Sequence, residues 1–148
     1  MRLLVQRVAW AEVRVQERLV GQIQKGLLVL VGFGEADTPE LLPKAVHKLI
    51  HLRIFSDSEG RMNLSLREVN GSLLVVSQFT LYGELKKGFR PSFARAAPAE
   101  KALSLYEAFL GEIRRQAPDI LLQTGEFGAL MSVSSCNEGP VTLWLEFE

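Results

Sequence analysis

The sequence is poor in cysteine and histidine, and each shortage removes a class of chemistry. Cys136 is the one cysteine, so no disulfide can form within the chain and no C-x-x-C pair exists. That fits a reducing compartment. His47 and His51 are the two histidines, so a Ser-His-Asp triad would have to recruit one of them. Their i, i+4 spacing could place both imidazoles on one metal, but no third ligand stands near, and the expectation is no metal. Neither sign of charge is in excess, with 17 Lys plus Arg against 17 Asp plus Glu. A broad basic field is therefore excluded, DNA is not an expected partner, and any RNA contact must be local. No long hydrophobic run occurs: Leu27 to Val31 is far too short to cross a bilayer. The opening MRLLVQRVAWAEV is broken by Gln6 and Arg7, unlike a signal-peptide core. A soluble cytoplasmic protein with no membrane partner is expected. There is no P-loop, no G-x-G-x-x-G and no G-x-S-x-G elbow, and nothing implies a cofactor.

What is present is ample material for one domain, residues 1–148. Apolar residues make up 47% of the chain. A chain of this length buries roughly two thirds of its unfolded surface and needs no staple. Leu3, Val5 and Arg7 share a strand face, and Val13 and Val15 alternate with Glu12, Arg14 and Gln16. Leu27–Val31 and Ser72–Thr80 read as buried strands, the early ones as a meander of short antiparallel strands. A helix follows Asp37-Thr38-Pro39, with Thr38 as a cap and Leu42, Val46 and Leu49 at helical spacing; Pro43 argues for a later start. Pro98 opens a second helix with the stripe Ala102, Tyr106, Phe109 and Ile113, and Pro118 lies past its end. Gly83 to Ala97 reads as loop. Two strands close the chain, the last alternating Val141, Leu143, Leu145 and Phe147 with polar partners. The expected fold is α+β: a mostly antiparallel, barrel-like sheet covered by two helices.

Three features depart from this pattern. Arg7 sits in phase with apolar neighbours, so its guanidinium either finds acceptors or snorkels to water. The apolar run Leu73–Val76 ends abruptly in Ser77-Gln78-Phe79-Thr80. A strand end fixes geometry, and amides leaving the ladder there could serve an oxyanion; equally, the strand could simply reach the surface and turn. Asn137-Glu138-Gly139-Pro140 carries a Gly-Pro step between strand patterns, an ordinary turn signal that also admits a cis bond.

Together these segments resemble the D-aminoacyl-tRNA deacylases. The resemblance is carried, in order, by Gln6-Arg7-Val8, Gly26–Leu30, Arg53–Asp57 and Met62-Asn63-Leu64. It continues through Ser77–Leu81, Arg90-Pro91-Ser92-Phe93, Gln123-Thr124-Gly125 and Asn137-x-Gly139-Pro140-Val141-Thr142. Phe89 and Glu138 depart from the commonest pattern, which has methionine and aspartate there. The resemblance implies a cytosolic homodimer that hydrolyses the ester between a D-amino acid and the terminal adenosine of tRNA. It implies a catalytic pocket lined by Ser77, Gln78, Phe79 and Thr80. It also implies that Gly139-Pro140, in the cis form and steadied by Arg7, reaches into the other subunit's site. There its carbonyls leave room for a hydrogen but not a side chain, so L-amino acids are rejected and glycine escapes. Phe127, Gly128, Met131 and Asn137 would hold the adenosine. Family likeness favours attack by water assisted by the tRNA 2′-hydroxyl over a Thr80 nucleophile, since no base adjoins Thr80 in sequence. Lys86, Lys87, Arg90 and Arg95 could meet phosphates near the acceptor end, or form a solvated charge run. The alternatives are a relative acting on L-aminoacyl-tRNA and a non-catalytic tRNA-binding module.

Overall fold

A computed structural model describes all residues, Met1–Glu148. Ten regular elements follow one another: β1 (Arg2–Val15), β2 (Arg18–Ile23), β3 (Gly26–Gly32), α1 (Leu42–His51), β4 (Phe55–Ser56), β5 (Met62–Leu64), β6 (Ser72–Ser77), α2 (Ala99–Gln116), β7 (Leu122–Thr124) and β8 (Ser132–Glu146). The main sheet runs β2-β1-β3-β6-β7, with β8 along β1. β1 pairs antiparallel with β2, β3 and β8, so the sheet is mostly antiparallel, as expected. β3–β6 and β6–β7 are parallel. Parallel neighbours need crossovers, and α1 and α2 lie in those two connections. Gly21 of β2 closes against β7: a Cβ there would lie 2.4 Å from the Thr124 carbonyl oxygen, so only glycine lets the barrel shut.

The strands sort their side chains into two cores. Leu3, Val5, Leu27, Val29, Leu73 and Val75 face α1 and α2 in the larger one. Val8, Ala11, Val13, Leu28, Leu74 and Val76 fill the barrel interior. β1 passes from one core to the other at Arg7–Val8, where its register against β8 shifts. Arg7 is therefore half-buried at a crossover point, which is why it breaks the apolar phase.

Several sequence expectations shift in detail. The early strands are not all short, since β1 runs for 14 residues, as the closing strand β8 does for 15. Thr38 makes no side-chain cap; a 3-10 turn, Pro39–Leu41, precedes α1, which starts at Leu42 with Pro43 in its first turn. A proline there removes an amide that has no helical partner anyway. The expected strand Ser72–Thr80 stops at Ser77 and becomes a 3-10 turn, Phe79–Tyr82. The stripe Ala102, Tyr106, Phe109 and Ile113 of α2 is buried. No helix is long and apolar enough to cross a membrane.

Candidate active site

The end of β6 is built to stop. Val31 and Ser77 are the last paired residues of β3 and β6, and the Gln78 amide still donates to the Val31 carbonyl at 2.7 Å. The chain then tightens into the Phe79–Tyr82 turn, whose first amides have no partner within the turn. Thr80 lies in that first turn. Its hydroxyl accepts a hydrogen bond from the Gln78 side-chain amide. No histidine or carboxylate bonds to it.

A cavity of about 510 Å³ opens at this point. Ser77, Gln78 and Phe79 form one side, and Phe127, Gly128, Ala129 and Met131 another. The strand-end residues and the expected adenosine residues, fifty positions apart in sequence, thus meet. Thr80 is exposed just beyond this lining. The walls are mostly apolar and carry no ionisable side chain. Such a site binds by shape and stacking, with its few polar groups fixing orientation.

Two supports beneath the cavity were not legible as functional. Tyr106 of α2 donates its hydroxyl to the Val75 carbonyl at 3.0 Å, and its ring lies 5.7 Å from that of Phe127. Burial pushes the Tyr106 phenol up to about 12. The same Val75 oxygen accepts the Gly125 amide at 3.2 Å, so one carbonyl ties α2, β6 and the Phe127 segment together. Ala97, just before α2, and Ala99 and Ala102 in its first turns supply the small side chains that leave the cavity open. Met131 packs over Gly125, where a Cβ would lie 2.7 Å from its sulfur.

The remaining expected residues cluster elsewhere. Asn137–Thr142 and Arg7 do not line this cavity within one chain. The Gly-Pro step is not a hairpin turn between two strands but a bulge within β8. From Gln6 to Val8, two steps along β1, the partners move from Thr142 to Asn137, five steps along β8. Asn137, expected at the adenosine, lies off this cavity within its own chain and closes the bulge: its amide donates to Thr142 Oγ1 at 2.8 Å and its oxygen accepts the Val141 amide at 2.8 Å. Gly139 and Pro140 are exposed on the bulge and joined by a cis peptide bond. Gly139 has φ +137°, and a Cβ would lie 3.0 Å from Arg7 Nη2, so the position demands glycine. Arg7 donates to the Glu138 carbonyl at 2.9 Å and to the Ile54 carbonyl at 2.7 Å. Its guanidinium has found acceptors rather than water alone.

His47 and His51 stack 4.3 Å apart on the exposed side of α1, and His51 Nδ1 meets the His47 carbonyl at 2.8 Å. No group of three or more His, Cys, Asp or Glu is gathered anywhere in the chain.

A mixed barrel flanked by two helices, with an apolar cavity at the open end of its parallel strands, defines an α+β domain with a preformed pocket of the size and lining that suit a small ligand group. The chain belongs to the D-Tyr-tRNA(Tyr) deacylase family, whose profile it matches over residues 4–146. The D-aminoacyl-tRNA deacylase of Thermosipho melanesiensis is 51% identical over 146 residues, covering 99% of this chain and 97% of that protein. A solved structure described as c-Myc DNA unwinding element binding protein is 38% identical, with a TM-score of 0.94 over 100% of this chain and 99% of its own. A solved eukaryotic protein, 23% identical with a TM-score of 0.81 over 97% of both chains, shares the fold.

Proposed function

We propose that this chain, as one half of a homodimer, hydrolyses the ester that joins a D-amino acid to the terminal adenosine of tRNA. Its enzyme class follows from its family: it is a D-aminoacyl-tRNA deacylase, an ester hydrolase. The observation that carries the detailed reading is the convergence of Ser77–Phe79 with Phe127–Met131 around one apolar cavity. The adenine stacks on Phe127 beside Met131, and the aminoacyl carbonyl lies at the end of β6. Water attacks the ester carbon, the bond to the ribose oxygen breaks, and that oxygen leaves with a proton as free tRNA. With no base in the cavity lining, the nearby 2′-hydroxyl of the adenosine assists the water. The protein contributes position and the Thr80 amide as a donor to the oxyanion. Charged tRNA is the substrate, so the cytoplasm is the place of action.

Chirality is assigned to Gly139-Pro140 of the second subunit. Three observations support this. The dipeptide is exposed on its own subunit, it lies off that subunit's cavity, and Arg7 holds the preceding carbonyl. β8 also pairs with β1 alone, which leaves its other edge and the exposed Trp144 for a neighbouring chain to cover. Main-chain oxygens pressed toward the substrate α-carbon admit a hydrogen and repel a side chain, so D-aminoacyl esters are accepted and L-aminoacyl esters refused. Glycyl esters on a non-cognate tRNA pass because they have no side chain to refuse.

Incubation of pure protein with D-Tyr-tRNA, L-Tyr-tRNA and L-Ala-tRNA tests this directly. Release of D-tyrosine alone is the expected result. Release of L-amino acids would overturn the chirality, and release of none would leave a binding module.

A further inference from the structure

The loop between the 3-10 turn and α2 carries charge that no part of the fold uses. Glu84 and Ser92 pair through two backbone bonds, at 2.8 and 3.0 Å, and make a neck. Lys86, Lys87, Gly88, Phe89 and Arg90 lie beyond it, all exposed. Gly88 turns the tip with φ +65°. Neither Lys86, Lys87, Arg90 nor Arg95 takes part in any of the chain's ion pairs. The stretch 84–95 thus concentrates four cations against one carboxylate, in a chain whose net charge is zero. Phe89, among those cations, is 105% exposed and packs on nothing. The loop is nonetheless tied to the cavity: Phe93, next to the neck, meets Phe79 edge-on at 5.0 Å, and Phe79 lines the cavity.

We propose that this loop grips the single-stranded 3′ end of the tRNA just upstream of the adenosine in the cavity. Phe89 provides a face on which an unpaired base stacks, and Lys86, Lys87 and Arg90 meet the flanking phosphates. A cation–aromatic surface that reads no base edge suits a strand whose sequence is shared by all substrates. Charge complementarity favours this occupant over a second copy of the chain, whose net charge is zero. The proposal rests on the reading of the cavity given above, and its test separates the two.

Kinetics are measured on D-Tyr-tRNA and on the 3′-D-tyrosyl ester of adenosine, which fills the cavity but has no upstream nucleotides. Phe89→Ala should raise KM for D-Tyr-tRNA about tenfold, the effect of losing one stacked base. The triple variant Lys86→Ala, Lys87→Ala, Arg90→Ala should flatten the salt dependence of kcat/KM by about two units of log–log slope. Neither change should alter turnover of the adenosine ester, since the tip packs against nothing. Equal effects on both substrates, or none on either, would overturn the proposal. So would conversion of dimer to monomer by Phe89→Ala, which would make the loop a contact between copies. If the unaltered protein cleaves neither ester, the cavity reading fails and takes this one with it.

Discussion

The Thr80 hydroxyl is the most exposed temptation in the site, and its surroundings argue against it as a nucleophile. It accepts a hydrogen bond from Gln78, and no basic group reaches it. A neutral hydrogen bond of this kind contributes about 1 kcal/mol. Thr80→Ala should therefore lower kcat less than tenfold or so on D-Tyr-tRNA, whereas removal of a true nucleophile would cost several orders of magnitude. Single-turnover rates on the variant decide between them. Gly139 behaves in the opposite way. An added Cβ meets Arg7 Nη2 at 3.0 Å and Val141 Cγ2 at 2.9 Å, on a backbone at φ +137°. Gly139→Ala should cost about 1–3 kcal/mol locally. Because the bulge is exposed, the fold should survive while D-Tyr-tRNA hydrolysis collapses. Thermal melting beside the deacylation rate checks both halves of that expectation.

The elements that hold the cavity are joined by Tyr106, which ties α2 to β6 at Val75 and lies beside Phe127. Burial pushes its phenol up to about 12, and burial with the nearby Asp37 carboxylate does the same to Tyr82. These are the chain's two tyrosines. A folded-state pKa raised above the unfolded value means that the stabilisation is complete below about pH 10 and is lost as pH rises toward 12. An ultraviolet titration should show no tyrosinate near pH 10 while the protein is folded, and its appearance should coincide with unfolding. Early, gradual ionisation of either ring would refute the arrangement. Tyr106 also marks a limit of sequence reading. Its helical spacing with Ala102, Phe109 and Ile113 announced a core position correctly, but nothing in that stripe distinguishes a residue under the site from one elsewhere in the core. The strand end at Ser77 was legible because apolar residues stop there. The parallel pairing of β3, β6 and β7 was not, because alternation along a strand says nothing of the direction of its neighbour.

Over the whole molecule, the residues expected to act together fall into two groups. Ser77–Phe79 and Phe127–Met131 share a cavity, while Arg7 and Asn137–Thr142 form a separate buttressed bulge on β8. Family likeness pointed to both groups, but Asn137 shows what it did not reveal: each end of its amide makes a bond that shapes the bulge. If each site is completed by a neighbour's bulge, then the two groups complement each other between subunits and not within one. Gly139→Ala spoils the bulge of its own chain, and Ala129→Trp fills the cavity of its own chain. Each homodimer should be inactive. A mixed dimer, however, unites the intact cavity of the first variant with the intact bulge of the second. Twofold symmetry gives such a dimer one good site and one doubly damaged one. Refolding the two variants together in equal amounts, with random pairing, should restore about a quarter of the wild-type activity. If cavity and bulge instead served the same chain, no pairing could rescue either variant, and the mixture would stay as inactive as its parts.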